Sequence, residues 1–439
     1  MLAWRRWPKP WLVRQLSTCL AQLLRGSPRC LKTAINKNGA KMDNGFKIGA
    51  RALCSVSCYG LQLNFYDKLD SVKAVWVDFE KAALLTPFQT TAWLYHWYEH
   101  IGALEKVQPL VVVAEDKEGV LFVLPLQIET GVLRRLSWLG SDLNDYNGPL
   151  IAANYTARAT DFVMQDVWRK LLLTLNGQDH LQQDYVRLEK MASLICGQPN
   201  PMLALGTTLA ASHAYRTPMV GGWDAFYATK RDGKNRYKDR SARKKLEELG
   251  PVTLESPEDR VSIRSVVDTL INQKSARFEQ KGISNFLLNP GHVEFYRAIA
   301  EFQRDLVHVS QLIVGKTVAS TNLGLRFRGA YYYVLNSFAI GETDRFGSGK
   351  VHMRDLMKMH IEKGFEAFDF TIGDEPYKLE WCDTKTPLYD HMDASTMKGR
   401  AAIAYWSAFQ STKRYIKQTP ALWDAYAKMR GALAPRKRA

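Results

Sequence analysis

The chain has 439 residues, 46% of them apolar, and a formal net charge of +16; it is longer than a single core usually serves and too apolar for a disordered chain. The basicity is regional: residues 1–42 hold nine Lys and Arg and no acid, residues 230–245 nine against two acids, and residues 428–438 five against none, which leaves the rest at −5. A mildly acidic body argues against duplex nucleic acid as partner, and no stretch is long and apolar enough for a membrane span.

The amino terminus carries an apolar stripe, Leu12, Val13, Leu16, Leu20, Leu23 and Leu24, with Arg14 and Arg25 outside it. That is the composition of a transit peptide or an interfacial helix, and it implies at most a peripheral membrane contact through the basic N-terminus. Met42 begins a normal amino terminus, so the residues before it read as an upstream extension. Residues 1–60 are therefore expected to be a basic, disordered extension outside the fold.

A first domain is expected over residues 61–222. Its helix PFQTTAWLYHWYEHIG places Trp93, Trp97 and Tyr98 as core residues. His96 and His100 stand i, i+4 but lack the Glu placement of a zincin, so they read as structural and no metal is expected. Residues 110–115 and 119–128 are apolar runs joined by Asp116-Lys117-Glu118-Gly119, the pattern of a β-hairpin. Asp142, Asn144, Asp145, Tyr146 and Asn147 follow as a polar loop placed to line a cleft between domains, with Asp145 and Tyr146 as candidate substrate contacts.

The boundary is placed at Gly221-Gly222, with a second domain over 223–395 and C-terminal helices and a basic tail over 396–439. The segment KRDGKNRYKDRSARKKLEELG puts Arg236, Arg240, Arg243 and Lys244 at helical spacing. Arg236, Arg240 and Lys244 are candidates to hold a phosphorylated or acidic substrate; a solvated helix face is the competing reading. Helices follow at 262–281 and 290–304, then a second hairpin from 307 to 327 and a strand over 330–339. Two similar hairpins about two hundred residues apart suggest a duplicated unit.

Residues 347–381, GSGKVHMRDLMKMHIEKGFEAFDFTIGDEPYKLEW, carry the most chemistry. Gly347 and Gly349 allow close approach at a helix mouth, where unpaired N–H groups and the macrodipole favour an anion, and Lys350 adds a cation. The helix ends at Lys363-Gly364. Phe365, Phe368 and Phe370 mark a short buried strand, and Gly373 releases the chain into a loop with Asp374, Glu375, Tyr377 and Lys378. Six cysteines, Cys19, Cys30, Cys54, Cys58, Cys196 and Cys382, show no zinc spacing beyond one Cys-x3-Cys, which points to a reducing, cytoplasmic compartment.

This segment resembles the carboxyl-terminal half of the acetyltransferase domain of CelD-like cellulose-biosynthesis proteins, a branch of the GNAT superfamily. The family's Ser-Pro-Gly helix start, Asp-Phe, Gly-Asp and Tyr-Lys appear here as Gly347-Ser348-Gly349, Asp369-Phe370, Gly373-Asp374-Glu375 and Tyr377-Lys378. The family's proline is absent, and Asp344 stands where the GNAT pyrophosphate motif has Gln or Arg, with Arg345 one position out of register. The blocks over residues 87–150 are also in that family's order, and the tandem arrangement resembles FemABX-like proteins.

The resemblance implies an α/β (α+β) fold of two GNAT-like domains, each a mixed, mainly antiparallel sheet flanked by helices. It implies acetyl-CoA or another acyl-CoA as co-substrate, held by Asn336, Phe338, Ile340, Arg345, Gly347, Ser348, Gly349 and Lys350. Asp369, Asp374 or Glu375 would be the base, Tyr377 the acid, and Lys378 would stabilise negative charge. The implied reaction is N-acyl transfer to a small-molecule or glycan-precursor amine in bacterial polysaccharide or envelope metabolism. The alternatives are a transferase using aminoacyl-tRNA and a catalytically silent assembly module.

Overall fold

A strand, two helices, three antiparallel strands, a helix and a strand parallel to the third: this order occurs twice in the computed structural model, which describes residues 52–383 and 385–419. The first unit runs through β1 (Cys54–Cys58), β2 (Leu61–Tyr66), α1 (Leu69–Glu80), α2 (Thr91–Trp97), β3 (Gln108–Asp116), β4 (Gly119–Glu129), β5 (Arg135–Trp138), α3 (Met164–Asn176) and β6 (Tyr185–Ala192). After β7 (Ala214–Pro218), α4 (Trp223–Lys230) and α5 (Gly233–Glu247), the second runs through β8 (Val252–Glu255), α6 (Arg260–Gln280), α7 (His292–Phe302), β9 (Val307–Val314), β10 (Thr317–Phe327), β11 (Ala330–Phe338), α8 (Ser348–Glu362) and β12 (Ala367–Ile372). The chain closes with β13 (Leu388–Ala394) and α9 (Met397–Gln418).

The two sheets have matching strand orders. One is β1-β2-β3-β4-β5-β6-β13, with short strands at Thr208–Leu209 and Leu150–Ile151; the other is β8-β9-β10-β11-β12-β7, with Lys385–Thr386 at its edge. All pairs are antiparallel except β5 with β6 and β11 with β12, which occupy equivalent places. The fold is thus mixed α/β, with two mainly antiparallel sheets flanked by helices, as expected.

The units exchange their last strands. β7 follows the first unit in sequence but pairs with β12 in the second sheet, and β13 follows the second unit but pairs with β6 in the first. The boundary expected near residue 222 therefore falls after a strand that already belongs to the second sheet, and the segment 388–394 returns to the first. Hydrogen bonding between strands, which local sequence does not encode, decides this. Within the extension expected to lack structure, residues 54–58 form β1, paired antiparallel with β2. The apolar stripe of residues 12–24 and the basic tail of 428–438 lie outside the described residues.

Local chemistry accounts for the elements that the sequence shows. In the β3–β4 turn, Asp116 Oδ1 accepts from the Glu118 N–H at 2.7 Å and Gly119 takes φ +108°, a value side chains disfavour. Ile263, Val266, Val267, Leu270 and Ile271 all point into the core from α6. A single apolar cluster runs through both units: the Trp93 and Phe295 rings meet edge to face with centroids 5.0 Å apart. Arg328 adds a polar tie across the seam, donating to the carbonyls of Ala83 and Glu80 at 2.5 and 2.7 Å.

Candidate functional site

Parallel pairing between β11 and β12 covers Ala330↔Ala367, Tyr331↔Phe368 and Tyr332↔Asp369, and then stops. Two irregularities turn the strands apart. In β11 the register against β10 slips between Leu335 and Tyr332, which is a bulge at Tyr333-Val334; in β12 Thr371 takes φ +56°, close to a register shift against β7. The separated ends, residues 333–338 and 370–373, line a cleft of about 620 Å³. One edge of residues 335–338 pairs with β10, and the other faces the gap.

The first unit has the equivalent gap, and it is filled. Past Leu136↔Val186, the loop following β5 folds back: Lys190 Nζ donates to the carbonyls of Ser141 and Asn144 at 2.6 and 2.5 Å, and Asn147 forms a parallel bridge with Met191. Trp93 Nε1 donates to Asn144 Oδ1 at 2.8 Å, so the loop is fastened to the core. Ser141, Asp142, Leu143 and Asp145 of this loop form the opposite wall of the open cleft, beside Arg187, Glu189, Lys190 and Asp390. Asp390 sits at a bulge of β13, where its Oδ1 accepts from the Lys190 N–H at 2.9 Å, and burial raises its pKa.

Of the five acid–base residues expected from the sequence, three line this cleft: Glu375, Tyr377 and Lys378. Lys378 is buried, and its Nζ lies 3.0 Å from Glu375 Oε2 and donates to the carbonyls of Ile372 and Thr371 at 3.1 and 3.3 Å. The Tyr377 ring packs edge to face on Phe370 at 6.2 Å. Burial, reinforced by Tyr333, raises the Tyr377 phenol above the usual range, so it carries its proton at neutral pH.

Asp369 and Asp374 stand behind the wall. Asp369 Oδ1 accepts from the Tyr146 hydroxyl and the Thr371 N–H, both at 2.8 Å. Asp374 Oδ1 accepts from the Tyr215 hydroxyl at 3.1 Å and the His213 N–H at 3.2 Å. Tyr146 thus joins the units through Asp369 and does not line the cleft, while Asp145 does.

Burial pushes the Asp369 carboxyl from 3.8 up to about 6. The folded protein then holds this proton more tightly than the unfolded chain, so the group's stabilising contribution is full below about pH 4 and is lost as pH rises through about 6. Asp369→Asn removes that dependence. Measured by urea denaturation, the stability difference between variant and parent is expected to move by about 2 kcal/mol in the variant's favour between pH 4 and 8. A difference that stays constant over that range would contradict the assignment.

The expected cofactor residues divide between two cavities. Asn336 and Phe338 line the cleft; Ile340 is 48% exposed and lines neither cavity. Gly347 and Lys350 line a second cavity of about 450 Å³ between α4, α5 and α8. There Lys350 pairs with Glu380 at 2.9 Å, and Arg231 pairs with Asp239 and Glu380 at 2.9 and 2.8 Å. Ser348 is buried, donating to the Ala319 carbonyl at 3.3 Å, and Arg345 stacks its guanidinium 5.5 Å from the Phe346 ring centre. A Cβ on Gly349 would lie 3.0 Å from the Phe338 ring, so the first turn of α8 packs directly on a residue that lines the cleft. Asp344 pairs with Arg277 at 3.4 Å.

Arg236, Arg240 and Lys244 line neither cavity; α5 presents Asn235, Lys238, Asp239 and Ala242 to the second cavity instead. Sequence reasoning passed over Lys274, Arg277 and Phe278 of α6 and Lys281 at its C-terminal cap, which line the cleft. Their i, i+3, i+4, i+7 spacing was the available signal. Arg277 lies 3.4 Å above the Phe338 ring, and Lys274 Nζ donates to the Asn336 carbonyl at 2.9 Å. The cleft therefore has a basic wall from α6 facing a wall from the first sheet on which carboxylates alternate with Arg187 and Lys190.

No curated protein matches the sequence. Among solved structures the chain is similar to FemX, at 11% identity over 72% of this chain and 95% of that one with a TM-score of 0.49. It is also similar to the C-terminal domain of a putative lysylphosphatidylglycerol synthetase from Agrobacterium fabrum (11%, 68% and 87%, TM-score 0.43) and to a tandem GNAT protein from the clavulanic acid biosynthesis pathway (10%, 76% and 98%, TM-score 0.40). Residues 233–379, from the start of α5 to the Tyr377-Lys378 turn, match the family model described as an acetyltransferase (GNAT) domain.

Proposed function

We propose that this protein is an N-acyltransferase that takes its acyl group from acyl-CoA and passes it to the amine of a sugar or amino-acid-like acceptor in the cleft between the units. The parting of β11 and β12 after Tyr332 and Asp369 carries the reading, since it opens a strand edge beside a protonated phenol. Such an edge pairs with an extended, amide-bearing chain by main-chain hydrogen bonds.

In the proposed reaction the acceptor amine attacks the thioester carbonyl, and N–H groups along β11 stabilise the developing oxyanion. The C–S bond breaks, Tyr377 gives its hydroxyl proton to the departing thiolate, and the excess amine proton passes to Glu375 or water. Lys378 fixes Glu375 and the carbonyls of β12. Gly347 and Lys350 are assigned to the phosphate end, and Asp145 to the acceptor. Membership of the CelD-like branch, and with it polysaccharide or envelope metabolism, is part of the proposal and rests on the motif resemblance.

Titration calorimetry of the full chain with CoA and acetyl-CoA is expected to give one site per chain; absence of heat with both would end this reading. A second reading has its own support, because Arg240 and Lys244 are exposed on α5 away from both cavities and suit a polyanion larger than either. Retention of aminoacyl-tRNA with no response to CoA would select it, and binding of neither would leave an assembly module. No helix among the described residues is long and apolar enough to cross a membrane.

A further inference from the structure

The histidine pair read as structural from its spacing has a third partner. Beyond α2, residues 98–102 form a π-helical turn, closed by the Ala103 N–H donating to the Tyr98 carbonyl at 2.8 Å. Such turns are uncommon and recur at functional positions. Here the turn places His96, Glu99 and His100 so that one potential ligand atom from each lies within 4.8 Å of the others, and this is a grouping of metal-ligand type among the described residues. The two imidazole planes are within 2° of parallel, with centroids 6.1 Å apart.

Three observations distinguish this cluster from a chance surface grouping. His96 Nδ1 is buried and has no hydrogen-bond partner, a costly condition for a polar atom. The other nitrogen, Nε2, lies 2.9 Å from the Gln303 carboxamide just past α7. A carboxamide turned end for end accepts an N–H, which is how the ring of a metal-bound histidine is ordinarily held. Thirdly, the backbone under the site is fixed: the His100 carbonyl packs so closely on Gly291 that a Cβ there would lie 1.8 Å from its oxygen.

We propose that His96, Glu99 and His100 form a Zn²⁺ site on the seam where the π turn meets α7. Zinc has no geometric preference of its own and takes imidazole nitrogen at about 2.0–2.1 Å and carboxylate oxygen at about 2.0–2.2 Å. The three residues supply two nitrogens and one oxygen from one short stretch of helix, and water takes the fourth position. These residues line neither the cleft nor the second cavity, so the ion stiffens the turn that docks the first unit on the second and takes no part in acyl transfer.

The test uses the full chain stripped of metal with a chelator. Titration with Zn²⁺ should show one site, and Zn²⁺ should raise the melting temperature. Glu99 is exposed, so Glu99→Gln leaves packing intact; together with His100→Ala it should weaken Zn²⁺ binding more than about 10-fold, since even residues that merely support a ligand are worth about 10–100-fold. Circular dichroism matching the parent's confirms that the variants fold. No stoichiometric binding by the parent, or parental affinity in the variants, would overturn the site, and neither outcome bears on the CoA titration.

Discussion

Tyr377→Phe is expected to lower the rate of acyl transfer by about 10²-fold or more, within the range of about 10²–10⁴ that a positioned proton donor contributes. The substitution removes one oxygen and keeps the ring that packs on Phe370, so the melting temperature should stay within a few degrees of the parent's. The size of the effect follows from the site. Burial raises the phenol's pKa, so it is protonated at neutral pH, and in the proposed reaction it would give up its proton only as negative charge gathers on the sulfur. Kinetics of purified variant and parent with an acyl-CoA and an amine acceptor decide the matter. A variant that folds and turns over at the parental rate would remove Tyr377 from the mechanism. Loss confined to acceptor KM would instead make it a binding residue.

Gly324→Ala should be the most damaging small substitution near the site, costing about 3 kcal/mol or more. Gly324 lies in β10 opposite the bulge of β11, and a methyl group there would fall 2.3 Å from the Tyr331 ring and hydroxyl and 2.7 Å from the Tyr332 carbonyl. Neither neighbour can retreat cheaply. Tyr331 is fully buried, its hydroxyl within hydrogen-bond distance of Asn322 Oδ1 and of His308 Nδ1, at 2.5 and 3.1 Å. The Tyr332 carbonyl belongs to the last residue paired with β12 before the strands part. Guanidinium denaturation should show a lower midpoint at unchanged slope. A loss under about 1 kcal/mol would mean that the sheet gives way more easily than its packing indicates.

Both predictions depend on how the strands bend, and that is where local sequence stops being informative. The Phe368-Phe370 run announced a buried strand and Gly373 its end, because alternation and turn chemistry act over a few residues. Nothing in Tyr333-Val334 or Thr371 announced a bulge, since a bulge exists only in relation to the partner strand. Asp369 and Glu375 looked alike as carboxylates six residues apart. Folding sends the first behind the wall to hold Tyr146, 223 residues away, and leaves the second in the cleft.

By itself, the sequence determined the elements whose causes are short in range: the two hairpins with their Gly119 and Gly315 turns, the apolar face of α6, and the helix opened by Gly347 and closed at Gly364; its motifs also pointed to the acetyltransferase (GNAT) domain model that residues 233–379 match. Only the tertiary structure decided the exchange of β7 and β13 between sheets, the filling of one strand gap by the loop after β5 while the other stays open, and the division of Asn336 and Phe338 from Gly347 and Lys350 between two cavities. The reason is physical. Turns and helix ends are settled by the conformational preferences of neighbouring residues, whereas strand pairing, burial and the state of a carboxyl group are settled by whatever distant chain packs against them.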